Sequence, residues 1–164
     1  MTPQRFDALD YKILTFLQRD ARCSAADIAR ALQANERTIR KRIDRLTRSG
    51  AVRLTAIVDP AAFGYVETAD IFLEVQPEFE EAALAQLMQM PNISYVAFGQ
   101  GTNDVSIEGR FRSNDEMRRF LRHTLPGIAG VQVKGYALVP RILRNIDEWM
   151  PAAEDFAVET QDQD

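Results

Sequence analysis

Residues 24–50, SAADIARALQANERTIRKRIDRLTRSG, constrain the fold more than any other stretch of this chain. Their pattern predicts two short helices joined by a tight turn. Ser24 and Asp27 have capping-box spacing and open the first helix; Asn35 caps the second. In that second helix Ile39, Ile43 and Leu46 recur at i, i+4 and i+7 and make one buried stripe. Arg37, Arg40, Lys41, Asp44 and Arg48 project from the other sides, and all but Asp44 are cations. A helix with an apolar keel and a basic outer face, braced by a partner helix, suits the DNA major groove. The segment reads as a helix-turn-helix.

A net charge of −4 looks unsuited to nucleic acid until it is divided along the chain. Residues 1–60 hold twelve Lys/Arg against seven Asp/Glu, a balance of +5, whereas residues 61–164 hold eight against seventeen, a balance of −9. A basic amino-terminal third on an acidic remainder fits a DNA-binding domain joined to one that does not touch DNA. Cys23 is the only cysteine, which rules out an intrachain disulfide and fits a reducing compartment. No apolar run approaches the ~18 residues of a membrane span, and a signal-peptide pattern is lacking. A cytoplasmic setting is expected.

After Gly50 stops the second helix, Arg53–Val58 is a short β-prone run ended by Asp59-Pro60, with the look of a tether. From Tyr65 the period changes. Ala69, Ile71, Leu73 and Val75 alternate with Asp70, Phe72 and Glu74, as in a half-buried strand. Phe79–Met88 has helical spacing, Ile93–Phe98 and Val105–Phe111 read as strands around a Gly-rich turn, and Ser113 or Asn114 caps a helix through Leu125. Val131–Val139 is the fourth strand. The order βαββαβ is the ferredoxin-like arrangement, two helices on one face of a four-stranded antiparallel sheet. Phe72, Tyr95 and Phe98 add apolar surface beyond the aliphatics, so the other sheet face is expected to be buried by a second copy.

The fold class is thus α+β: a winged-type helix-turn-helix over residues 1–52, a tether over 53–64, and a ferredoxin-like dimerisation domain over 65–140. A short helix is expected over 141–151, where Ile142, Leu143, Ile146 and Trp149 recur, and a mobile acidic tail over 152–164. Catalysis finds little support. The one histidine, His123, reads as a surface residue, and metal-ligand cluster, nucleophile elbow and phosphate loop are all missing. No cofactor is expected.

This arrangement resembles the Lrp/AsnC family of transcriptional regulators over roughly residues 8–140. The resemblance rests on LDYKIL at 9–14, Ile28-Ala29, TIRKRIDRL at 38–46, Gly50-Ala51-Val52, Val58-Asp59-Pro60, Phe63-Gly64, and Gly101-Thr102-Asn103-Asp104. It implies a homodimer, or an octamer of four dimers, that binds double-stranded DNA and answers to an amino acid or related small effector. Carried across residue by residue, it nominates Gly101, Thr102, Asn103 and Asp104 for the effector, with Tyr136 facing the same cavity. Two readings of that turn stand side by side: an effector contact, or a hairpin turn whose Gly and Asn are chosen for positive φ. The chain departs from the family at Gln33, where the inter-helix turn usually carries Gly, so a wider or shifted turn is expected.

On the second helix, Arg37 and Lys41 are assigned to base edges, with Thr38 and Arg40 beside them. Arg42, Arg45 and Arg48 are assigned to phosphates or the helix dipole. An effector-independent architectural DNA-binding protein is the alternative, and an enzyme on a ferredoxin-like scaffold the more remote one.

Overall fold

The computed structural model describes residues 6–101 and 104–156. They form two compact units: residues 6–57 with 144–156, and residues 58–143.

The first unit is built on three helices, α1 (Ala8–Arg19), α2 (Ala25–Leu32) and α3 (Glu36–Arg48). Each begins at a side-chain cap that satisfies amides left without partners in the first turn. Ser24 accepts from the Asp27 amide and Asn35 from the Arg37 amide, as the sequence predicts. Asp27 does not close a full box, because its carboxylate accepts from the Ser24 hydroxyl at 2.6 Å rather than from the backbone. The reciprocal box lies on α1, between Asp7 and Asp10. Ile13, Leu17, Ile28, Ala29, Ile39 and Leu46 are buried together, with Ile43 and Leu9 packed at the margin.

The α2–α3 turn is not widened. Gln33 takes φ 51° and ψ 40°, the left-handed conformation that glycine ordinarily supplies at this point. Its amide closes on the Ala29 and Arg30 carbonyls. The polar chain therefore keeps the glycine geometry, at a cost of about 1 kcal/mol.

Two expectations for this unit fail. Residues 53–58 enter no strand ladder, so among the described residues no wing follows α3. Residues 141–151 do not form an α-helix; a single 3₁₀ turn, Ile146–Glu148, stands there instead. Pro140 and Pro151 bracket the segment, and Ile142, Leu143 and Ile146 stay exposed, so no face holds a longer helix together. The acidic stretch is not featureless either. Phe156 is 4% exposed and its ring meets Tyr11 edge-on at 5.0 Å. Residues 157–164 lie outside the described residues.

The second unit is the four-stranded antiparallel sheet that the alternation predicts. Its strands are β1 (Glu67–Val75), β2 (Ile93–Phe98), β3 (Val105–Phe111) and β4 (Val131–Leu138), in the order β2-β3-β1-β4. Helix α4 (Glu80–Met88) and helix α5 (Asn114–Arg119) cover one face. Ala69, Ile71, Leu73 and Val75 of β1 point to that side with Val105, Ile107 and Phe111 of β3, and all are buried.

The opposite face is less apolar than expected. Register places Phe98 opposite Val105, on the helix-covered side, although it is half exposed. On the open side Phe72 and Tyr95 are the large rings, 39% and 51% exposed. They are bordered by the ion pairs Glu108–Arg110 at 2.6 Å and Glu74–Lys134 at 2.7 Å.

Candidate nucleic-acid interface

Helix α3 carries six basic residues, and the fold divides them. Ile39 and Leu46 are buried and Ile43 half-buried, which turns the remaining sides of the helix outward. Arg37, Thr38, Arg40 and Lys41 are exposed in the amino-terminal half. Arg40 reaches back one turn to Glu36 at 2.5 Å, and Arg48 reaches Asp44 at 3.8 Å, both on the surface. Exposed pairs of that kind are worth a fraction of a kcal/mol, so neither guanidinium is held from another partner. Lys41, Asp44, Arg45, Arg48 and Ser49 line a notch along the carboxy-terminal half.

Arg42 and Arg45 have a different occupation. Asp10 is fully buried, an unusual place for a carboxylate. Its Oδ1 accepts from Arg42 at 3.1 Å, and its Oδ2 accepts from Arg45 and from the Asp7 amide. Arg42 also donates to Asp7. Arg45 lies 6.0 Å from the Phe6 ring centroid as well. Partial burial pushes the Asp7 carboxyl up, but the Arg42 hydrogen bond and the amides of Asp10 and Leu9 outweigh it and hold the group below its ordinary range. The two arginines assigned to phosphates from sequence are thus engaged with α1. Asp10 was the signal: it falls at i, i+3, i+7 with Ile13 and Leu17, a charge on the apolar stripe. A charge there needs buried partners, and only another helix can bring them.

The residues nominated for an effector are divided in turn. Gly101, with φ 121°, and Asp104 stand in the β2–β3 turn, which Gly99 N closes by donating to the Asp104 carbonyl at 2.7 Å. Thr102 and Asn103 lie outside the described residues. Asp104 Oδ1 accepts from the Val75 amide at 3.2 Å, which satisfies the end of β1. Tyr136 is elsewhere within the chain. It pairs with Ile71 on edge strand β4, and β1 lies between it and Asp104. It lines a cleft with Arg118, Leu121, Arg122 and Val133 instead. His123 is exposed, as expected. No helix among the described residues is long and apolar enough to cross a membrane.

Comparison with known proteins points the same way as the helices. Residues 6–47 match the AsnC-type helix-turn-helix domain. The chain is 32% identical over 127 residues to the transcriptional regulator FL11 of Pyrococcus horikoshii, an alignment spanning 76% of this chain and 84% of the relative. A second, uncharacterised helix-turn-helix regulator of that organism is 30% identical over 154 residues, or 93% and 97% of the two chains. Among solved structures, AsnC of E. coli superposes with a TM-score of 0.78 at 24% identity, covering 88% of this chain and 99% of its own. A transcriptional regulator of Neisseria meningitidis, solved as its L-Met complex, gives 0.78 at 20% identity, over 85% and 92%. At these identities the structural likeness speaks to the fold.

Proposed function

Because the chain belongs to the Lrp/AsnC family of helix-turn-helix transcriptional regulators, we propose that it reads a specific operator through α3 and answers to a small effector through its sheet domain. The observation that carries the first half is the division of cations on α3. Arg37, Arg40 and Lys41 are exposed with Thr38 in the half of a recognition helix that meets base edges, while Arg42 and Arg45 serve α1. Base readout falls to Arg37 and Lys41, since arginine and lysine pair best with guanine O6/N7. Arg48 at the far end falls to phosphate.

The working species is a homodimer, or an assembly of such dimers, closed over the open sheet face through Phe72 and Tyr95. It reads half-sites about one helical turn apart, or a multiple of that spacing. The effector is an amino acid or a related molecule held near Gly101 and Asp104. The L-Met complex of the Neisseria regulator supports an amino-acid ligand for this architecture. Coupling of about 1–3 kcal/mol between effector and DNA suffices for regulation.

Selection of an operator from random duplexes, followed by fluorescence anisotropy, tests the reading. Arg37→Ala should weaken operator binding by about 1–3 kcal/mol and relax preference at one base pair. Equal losses on operator and random duplex would make Arg37 a phosphate contact. Amino acids titrated into the same assay, with sizing in parallel, test the effector. No response in either would leave an architectural DNA-binding protein.

A further inference from the structure

The cleft beside Tyr136 has features that the reading above does not use. It encloses about 380 Å³, within the range of small-molecule sites, and lies between α5 with its continuation and edge strand β4. Both walls are locally irregular. On the helical wall, residues Phe120–Thr124 form a π turn, closed by the Leu125 amide donating to the Phe120 carbonyl. On the strand wall, the β1–β4 ladder shifts register: Leu73 faces Val133 but Phe72 faces Gly135, which leaves Lys134 as the extra residue. Bulges and π turns re-aim side chains, and both gather at functional sites. Here the bulge has a definite result. With strict alternation from Val133, Tyr136 would point to the open sheet face; the extra residue puts it opposite Ile71, on the helical side.

The chemistry inside the cleft is one-sided. Arg118 and Arg122 are four residues apart on one helical face, a spacing at which like charges repel. Among the described residues neither enters an ion pair, although Asp115 precedes Arg118 by three positions. No carboxylate lines the cleft. Leu121 and Val133 form an apolar floor, and Tyr136, 54% exposed, supplies a ring and a hydroxyl.

We infer that this cleft binds a small organic acid: a carboxylate for the paired guanidiniums, an aromatic or branched apolar body for the floor and the Tyr136 ring, and no amino group. Paired guanidiniums recognise a carboxylate through charge-assisted hydrogen bonds. The same charges repel an ammonium, and the cleft offers it no acidic partner. The ligand class is therefore that of 2-oxo acids and aryl carboxylates rather than amino acids. The site stands apart from the Gly101–Asp104 turn and does not depend on its role.

Calorimetric titration of the full chain with phenylpyruvate, phenylalanine and inorganic phosphate tests the inference. Phenylpyruvate should bind at least tenfold more tightly than phenylalanine or phosphate. Arg118→Ala with Arg122→Ala should weaken phenylpyruvate tenfold or more; Arg122→Gln alone, which retains the helix and a polar side chain, should weaken it several-fold. Tyr136→Ala should weaken phenylpyruvate while changing phosphate little. Asp104→Asn should leave phenylpyruvate unaffected, which separates this site from an effector at the turn. Equal binding of phenylalanine, equal binding of bare phosphate, indifference to the arginine changes in a folded variant, or loss in Asp104→Asn would each overturn it.

Discussion

Asp10 is the residue on which the helical unit is most sensitive. Fully buried and shared between Arg42 and Arg45, it converts two cations of α3 from surface charges into a brace against α1. Asp10→Ala leaves both guanidiniums without their buried acceptor. The loss should be about 3 kcal/mol, the low end for breaking a buried pair, because both arginines keep some access to water. Urea denaturation measures it directly. Asp7 adds a pH dependence. Its carboxyl is held below the ordinary range in the folded state, so its contribution is present above about pH 4 and is lost as pH falls through the folded-state value. Asp7→Asn should flatten the acid limb of the stability curve below pH 4 while leaving its shape at neutral pH unchanged. Gln33 is the counterexample to sequence logic on the same unit. A left-handed glutamine is strained, so Gln33→Gly should raise stability by about 0.5 kcal/mol, the relief of strain less the entropy of a freer unfolded chain. An unchanged or lower urea midpoint would contradict this.

The elements that depart from expectation are those whose periodicity lacks a partner. Residues 144–156 have apolar residues at near-helical spacing, yet they belong to the helical unit as an extended strap. Gln18 Nε2 donates to the Glu148 carbonyl at 2.9 Å, and Phe156 seats against Tyr11. Trp149, Met150 and Pro151 complete an apolar crevice with Leu14, Leu17, Val52 and Leu54. Phe156→Ala should cost about 2 kcal/mol, less than a core phenylalanine because the strap can slide, and should remove hydrogen-exchange protection from residues 144–156 first. Loss of protection spread evenly over α1–α3 would show that the strap is not a separable element. In the sheet unit, the π turn and the β4 bulge are single-residue events that leave helix and strand boundaries nearly as predicted. The bulge changes which way the end of β4 faces, Tyr136 and Leu138 included.

At the scale of the molecule, charge and exposed rings set the association behaviour. The cations of α3 lie on the helical unit, which also takes in the acidic residues Asp147, Glu148, Glu154 and Asp155 of the strap, and affinity for any duplex through those cations should fall with salt. The open sheet face is bordered by ion pairs, which makes Phe72 and Tyr95 the anchors on which the proposed dimer turns. Phe72→Glu should lower the dimer fraction at micromolar concentration by tenfold or more, measured by sedimentation velocity, without changing the circular dichroism of the monomer. An unchanged dimer would move the interface off this face.

Local pattern determined what local physics decides. Apolar periods of 3.6 and 2 marked out four helices (α2 to α5), four strands and their order, and capping side chains at Ser24, Asn35 and Ser113 marked where helices begin. The exposed cations at Arg37, Arg40 and Lys41 were legible because they need only to avoid the stripe of Ile39, Ile43 and Leu46. What the sequence left open is every role set by a residue distant along the chain. Arg42 and Arg45 look like their neighbours until Asp10, more than thirty positions away, is brought beneath them. Tyr136, nominated with Asp104 from the family resemblance, stands on the helical side beside Arg118 and Arg122 within the chain because of one extra residue in β4. Periodicity records which side of an element is buried; only the packed chain supplies the charges and surfaces that meet it there.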